Sequence, residues 1–210
     1  MDLFDTPKSQ GILKDVVLLR SFVAPVENEV LPALAAIIQL APLRHMMTPG
    51  GFAMSVATTS CGDLGWVSDK TGYRYVAFDP LTGKAWPQMP ASFKQLAKQA
   101  ASMAGFANFE PDACLINRYQ VGARMGLHQD KDECDFNQPI VSVSLGIPAV
   151  FQIGGFARSD KALKLPLYHR DVLVWGGESR LRFHGVLPVK AGNHPALGEY
   201  RVNLTFRKAG

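Results

Sequence analysis

Arg201-Val202-Asn203-Leu204-Thr205-Phe206-Arg207 reads RVNLTFR, and its reading decides how the rest of the chain folds. Alternate residues of a strand point to opposite faces, so Arg201, Asn203, Thr205 and Arg207 share one side, with Val202, Leu204 and Phe206 on the other. At a sheet edge the polar side would simply be wet. In the middle of a sheet it would look into the fold, where an unpartnered guanidinium costs several kcal/mol. A bound dicarboxylate would then be a natural partner for the two arginines.

Working outward from this strand, the chain beyond Pro111 is β-rich. Strands are expected near 113–119, 140–145, 149–153, 171–175, 181–187 and 200–207, separated by Gly/Pro turns with no helix between them. That spacing predicts a mainly β fold with flanking helices, a sandwich or jelly roll rather than a parallel sheet. Upstream, residues 16–22 (VVLLRSF) read as a strand. Val30, Leu34, Ile37 and Ile38 then mark a helix that has Pro32 in its first turn and ends at Pro42. Phe93, Leu96, Ala97, Ala100 and Met103 share one face of a second helix over 90–104. Between the helices, residues 44–86 carry the turn TPGG (48–51) and short β-like runs holding Trp66, Tyr73, Tyr75 and Phe78. This is either a sheet edge with aromatic cross-strand pairs or a platform for a planar ligand.

The candidate chemistry begins with His128-Gln129-Asp130. On a strand, residues i and i+2 project from one face, so this imidazole and carboxylate could meet one metal ion. His184, on the strand expected near 181–187, could complete a two-histidine, one-carboxylate set, which on non-haem Fe(II) leaves three positions open. Taken singly, each histidine reads more readily as an ordinary polar residue. Asn117 and Tyr119 share a strand face and could offer an amide and a phenol to the same acid as Arg201.

These residues, together with MSVA (54–57), CGDLGW (61–66), DACLINRY (112–119), IVSVSLG (140–146) and VWGGESR (174–180), resemble the AlkB family of Fe(II)/2-oxoglutarate-dependent alkylation-repair dioxygenases. The likeness spans nearly the whole chain and is nearest to the bacterial members. It implies a double-stranded β-helix core over residues 87–210, with residues 1–86 forming an N-terminal extension and nucleotide-recognition lid, the two making one structural unit. The implied reaction is oxidative demethylation of bases such as 1-methyladenine and 3-methylcytosine. It consumes 2-oxoglutarate and O2 and releases formaldehyde, succinate and CO2.

By position, the resemblance implies that His128, Asp130 and His184 hold Fe(II). Arg201, Asn117 and Tyr119 would grip the distal carboxylate of 2-oxoglutarate, and Arg207 and Asn203 the one beside the keto group. Trp66 and Tyr73 would stack on and cover the target base, which Asp132 and Glu133 would contact. Thr48, Arg124, Gln129, Lys131 and Arg158 would meet the substrate strand or its pocket. The chain departs from the family pattern at Thr58, expected in the recognition layer where the pattern has Met, and at Cys134, where it has Pro.

The bulk composition fits this reading without requiring it. The chain has 210 residues, 47% hydrophobic and 19% charged, with a net charge of +4, which permits an anionic partner without demanding one. No apolar run is long enough to span a membrane. MDLFDTPKSQG has no apolar core, so no secretory signal is expected. Cys61, Cys114 and Cys134 form no C-x-x-C pair and read as free thiols in a reducing, cytoplasmic setting. The expected partner is alkylated single-stranded DNA, with double-stranded DNA and RNA as further candidates, acted on by a monomer. The competing readings are a dioxygenase acting on a protein or small molecule, and a non-enzymatic β-sandwich module that binds nucleic acid.

Overall fold

A computed structural model describes residues 9–210; most of the segment read for a secretory signal lies outside the described residues. The core is a jelly roll of two facing sheets. The larger contains β1 (Ser9–Leu13), β2 (Val16–Leu19), β3 (Arg44–Met47), β4 (Ala53–Gly62), β7 (Ala113–Tyr119), β9 (Ile140–Gly146), β12 (Val172–Trp175) and β14 (Arg201–Arg207). Its order is β1-β2-β12-β9-β14-β7-β4-β3. The smaller sheet, β11-β10-β13-β8, is built from β8 (Met125–His128), β10 (Ala149–Ile153), β11 (Leu163–Leu167) and β13 (His184–Val186). A separate hairpin joins β5 (Gly65–Asp69) to β6 (Gly72–Val76).

The alternation of β14 is realised in the centre of the larger sheet. The strand pairs antiparallel with β7 on one side and β9 on the other, and all seven of its residues are buried. Val202, Leu204 and Phe206 join an apolar core with helices α1 (Glu27–Leu40) and α2 (Ala91–Met103), where Phe93 meets Phe206 edge-on at 5.9 Å between ring centres. The opposite face looks between the sheets. There Phe151, Ile153, Leu173, Trp175 and Val186 form a second core, which stops short at a cavity of about 520 Å³ lined by Arg201, Asn203, Thr205 and Arg207.

Several local expectations are corrected. Helix α1 begins at Glu27, so Pro32 lies inside it as the sixth residue rather than in its first turn. The strand expected over 181–187 is only His184–Val186, and β11 was not anticipated. His128 ends β8 and Asp130 lies in the loop beyond it, so the two do not share a strand face. Thr58 is buried in β4, opposite Asn117 of the larger sheet. Strands β1 to β4 pair into the larger sheet, while the β5–β6 hairpin forms a two-stranded sheet of its own.

Candidate active site

His128, Asp130 and His184 converge, with one potential ligand atom from each lying within 4.8 Å of the others. His128 and His184 are register partners in the β8–β13 ladder, which brings residues far apart in sequence side by side. The His128 Nδ1 lies 2.9 Å from the Gly126 carbonyl, and the His184 Nδ1 lies 3.0 Å from the Arg182 carbonyl. A carbonyl can only accept, so both Nδ1 atoms carry the proton and both Nε2 lone pairs are left for a metal. Each Nε2 faces Asp130, His128 at 3.5 Å from Oδ1 and His184 at 3.7 Å from Oδ2.

Arg207 donates from Nε to Asp130 Oδ2 at 3.1 Å, and its Nη2 bonds the same oxygen. Burial works against a charged Asp130, but the Arg207 charge outweighs it, with the two facing histidines in support, and holds the carboxyl well below the ordinary range. With Nδ1 turned to a carbonyl in each ring, the groups that face a metal are two imidazole Nε2 atoms and one carboxylate. Burial, then the charge of His128, pushes His184 down. For His128, burial is outweighed by Asp130 and the net direction is upward.

Beside the triad, Arg201 is 1% exposed. Its Nη2 donates to Ser144 Oγ at 2.9 Å, and its guanidinium lies over the Tyr119 ring at 5.0 Å. Its Nε and Nη1 have no partner, and neither does the buried Oδ1 of Asn117. Buried polar atoms are normally satisfied, so unpartnered donors on a cavity wall mark the seat of an acceptor. An N,N,O metal set with an unmatched guanidinium beside it fits ferrous iron and 2-oxoglutarate together. Asn203 is otherwise engaged, since its Nδ2 donates to Ser142 Oγ and the Val143 carbonyl, each at 2.8 Å.

The β5–β6 hairpin covers the open end of the cavity. Its turn is set by Asp69, whose Oδ1 accepts from the Thr71 N–H at 2.8 Å. Gly65 lets the hairpin sit down on Trp86, because a Cβ there would lie 2.2 Å from the indole. Trp66 and Tyr73 stack at 5.5 Å with an interplanar angle of 13°. Trp66 and Tyr75 are cross-strand partners, and both reach the loop after His128. Trp66 Nε1 donates to Asp132 Oδ2 at 2.9 Å, and the Tyr75 hydroxyl to Glu133 Oε1 at 2.9 Å.

Thr48, Arg124, Gln129, Lys131 and Arg158 all line the cavity, although the Gln129 amide is engaged, donating to the Leu181 carbonyl at 2.6 Å. Glu133 also lines the cavity. It is buried, and its carboxylate is taken up by Arg180, Arg207 and Tyr75. Sequence reading missed Tyr75, Ser144 and Arg180 as site residues. Arg180 had a signal, standing within the VWGGESR motif, but nothing local says that it is buried.

Comparison with known proteins accords with this geometry. A family model described as the 2OG-Fe(II) oxygenase superfamily matches residues 15–207. The chain belongs to that superfamily and is an Fe(II)/2-oxoglutarate-dependent dioxygenase. It is 53% identical over 211 residues to the alpha-ketoglutarate-dependent dioxygenase AlkB of Salmonella typhimurium, covering 100% of this chain and 98% of that protein. The Escherichia coli enzyme of the same name is 51% identical over 212 residues, with the same coverage. The solved structure of OsALKBH1 superposes with a TM-score of 0.81 at 28% identity, covering 96% of this chain and 100% of that one. Within the superfamily, the chain is thus a member of the AlkB family.

Proposed function

We propose that this enzyme removes N-alkyl groups from damaged nucleobases, 1-methyladenine and 3-methylcytosine among them. The observation that carries the reading is the stacked Trp66–Tyr73 pair on a hairpin closing a cavity whose floor is the His128/Asp130/His184 cluster. A flat aromatic wall beside a metal site suits a planar base, because base–aromatic stacking contributes about 1–3 kcal/mol per base.

In this reading His128, Asp130 and His184 hold the iron, and Arg201 with Asn117 and Tyr119 receives the distal carboxylate of the cosubstrate. Iron and 2-oxoglutarate, when bound, supply the oxidation of the alkyl carbon, which leaves as formaldehyde while O2 is consumed and succinate and CO2 are formed. The protein's share is position, anion binding and exclusion of water. Arg207 keeps Asp130 ionised, and the backbone carbonyls of Gly126 and Arg182 fix both imidazole tautomers. Trp66 and Tyr73 hold the base against His128. Asp132, exposed and anchored only through Trp66, would favour a base made cationic by alkylation over a neutral one.

Methylation at a pairing nitrogen also spoils pairing, so extrusion is cheaper for the damaged base than for an intact one. Arg124, Lys131 and Arg158 serve as the phosphate contacts, with Thr48 and Gln129 at the pocket wall. With so few cations the salt dependence of binding should be shallow. The preferred substrate in this reading is single-stranded DNA, and the enzyme is a cytoplasmic monomer. Three unpaired cysteines suit a reducing compartment, and among the described residues no helix is long and apolar enough to cross a membrane.

The test incubates the protein with Fe(II), ascorbate, 2-oxoglutarate and a 1-methyladenine oligonucleotide, measuring succinate and the mass of the oligonucleotide. Succinate together with loss of one methyl group is the expected result. Succinate without demethylation of any alkylated oligonucleotide would move the substrate to a protein or small molecule.

A further inference from the structure

Beyond the ligands themselves, the loop that carries Asp130 is held by a buried charge network. Arg180 is 3% exposed and Glu133 6%. From one guanidinium, Arg180 donates Nη1 to the Asp130 carbonyl at 2.8 Å, Nε to the Gln138 carbonyl at 3.1 Å and Nη2 to Glu133 Oε2 at 3.0 Å. Both ends of the 130–138 loop are thus drawn onto a single residue, which follows the short 3-10 helix Gly177–Ser179. Glu133 in turn faces Arg207, with Nε 3.1 Å from Oε1. Arg207 therefore lies between two carboxylates, Asp130 and Glu133, and is not matched to the metal ligand alone.

The physical consequence follows from sharing. A guanidinium paired only with Asp130 would draw the negative charge of that carboxylate toward itself and away from any cation on the other side. Glu133 takes up part of the Arg207 guanidinium, so the Asp130 carboxylate is not drawn wholly onto Arg207 and stays turned toward the two histidines. Arg180 holds the backbone of Asp130 and anchors Glu133, so that the sharing geometry is fixed. A lysine cannot reproduce it, having no planar fork to reach three acceptors in different directions.

We propose that Glu133 and Arg180 are positioning residues for the metal-binding carboxylate, setting its place, and that Glu133 does not read the base. The inference rests on the reading of Asp130 as a metal ligand. Groups that orient metal ligands typically cost 10- to 100-fold in metal affinity when altered.

The test titrates wild type, Glu133→Gln and Arg180→Lys with Co(II), following visible absorption, with circular dichroism melts on the same samples. We expect the Co(II) dissociation constant to rise roughly 10- to 100-fold in both variants. We also expect a displaced visible band in Glu133→Gln at a temperature where that variant is fully folded. A purely structural role would leave the band of a folded variant unmoved. Should Arg180→Lys melt below the assay temperature, the isosteric Glu133→Gln decides alone. Affinity within about twofold of wild type with an unchanged band overturns the proposal. Wild type that binds no Co(II) at all, or binds it equally after Asp130→Ala, overturns the metal-site reading and this inference with it.

Discussion

Replacing Arg201 with methionine should weaken 2-oxoglutarate binding and, at the same time, leave the ligand-free protein as stable as before or more so. The opposite signs follow from the unpartnered atoms. In the ligand-free protein Arg201 is 1% exposed and bonds only Ser144 Oγ, while Nε and Nη1 have no acceptor. Burial pushes its pKa down, against an opposing pull from Tyr119. Methionine of similar reach removes that desolvated charge, and exchanges of buried ionic groups for apolar ones are often neutral or stabilising by about 1–4 kcal/mol.

The ligand side of the balance is larger. A hydrogen bond to a charged group contributes about 1.5–3 kcal/mol, so two unmet donors represent roughly 3–6 kcal/mol toward a bound carboxylate. At about 1.4 kcal/mol per tenfold, the dissociation constant should rise at least about 100-fold. Thermal melts with Mn(II) in place of iron read both effects. At a cosubstrate concentration about 100 times the wild-type dissociation constant, wild type gains about 2.7 kcal/mol. The same concentration gives Arg201→Met only about 0.4 kcal/mol. An apo protein destabilised by several kcal/mol, with its response to 2-oxoglutarate intact, would refute the reasoning.

Gly185→Ala should damage the metal site through the backbone. A Cβ there would stand 2.7 Å from the Met125 carbonyl oxygen and 2.9 Å from that of Gly126, the group that orients His128. Overpacking of this kind costs typically about 1–3 kcal/mol of stability, measurable by urea denaturation, with a loss of Mn(II) affinity that a comparable core variant lacks. Asp132→Ala should lose more activity on cationic 1-methyladenine than on neutral ethenoadenine, and equal losses would count against a charge-reading role. Glu27→Gln should make stability less dependent on pH. The hydrogen bond from Arg170 first, opposed by burial and aided by His169, holds Glu27 below its ordinary value of 4.5. A depressed carboxyl contributes stability that is present above the unfolded value and fades as pH falls through the folded one. The variant should therefore be weaker by roughly 1 kcal/mol or less at neutral pH, since Arg170 is partly exposed, and the difference should vanish as pH falls through the folded-state value of Glu27.

What the sequence determined by itself was whatever depends on local period and residue type. The strict alternation of 201–207 fixes which side chains share a face, because the pleat allows no other arrangement. The apolar spacing of 93–103 likewise specifies a helix face whatever lies beneath it. The histidines and arginines allowed an iron ligand set and a dicarboxylate clamp, and the resemblance to the AlkB family turned that possibility into an assignment. The tertiary structure decided which charges are used up inside the protein. Asp132 and Glu133 are neighbours of one type, yet the first keeps an exposed carboxylate while the second is buried between Arg180, Arg207 and Tyr75. Those partners arrive from residues 47, 74 and 58 positions away, and no local pattern encodes their arrival. The same holds for His128 and Asp130, which meet around a bend after β8 and not along a strand, because Arg207 on the central strand draws the carboxylate in. Burial and pairing are properties of what the rest of the chain brings to a residue, so they are decided only when the sheets close.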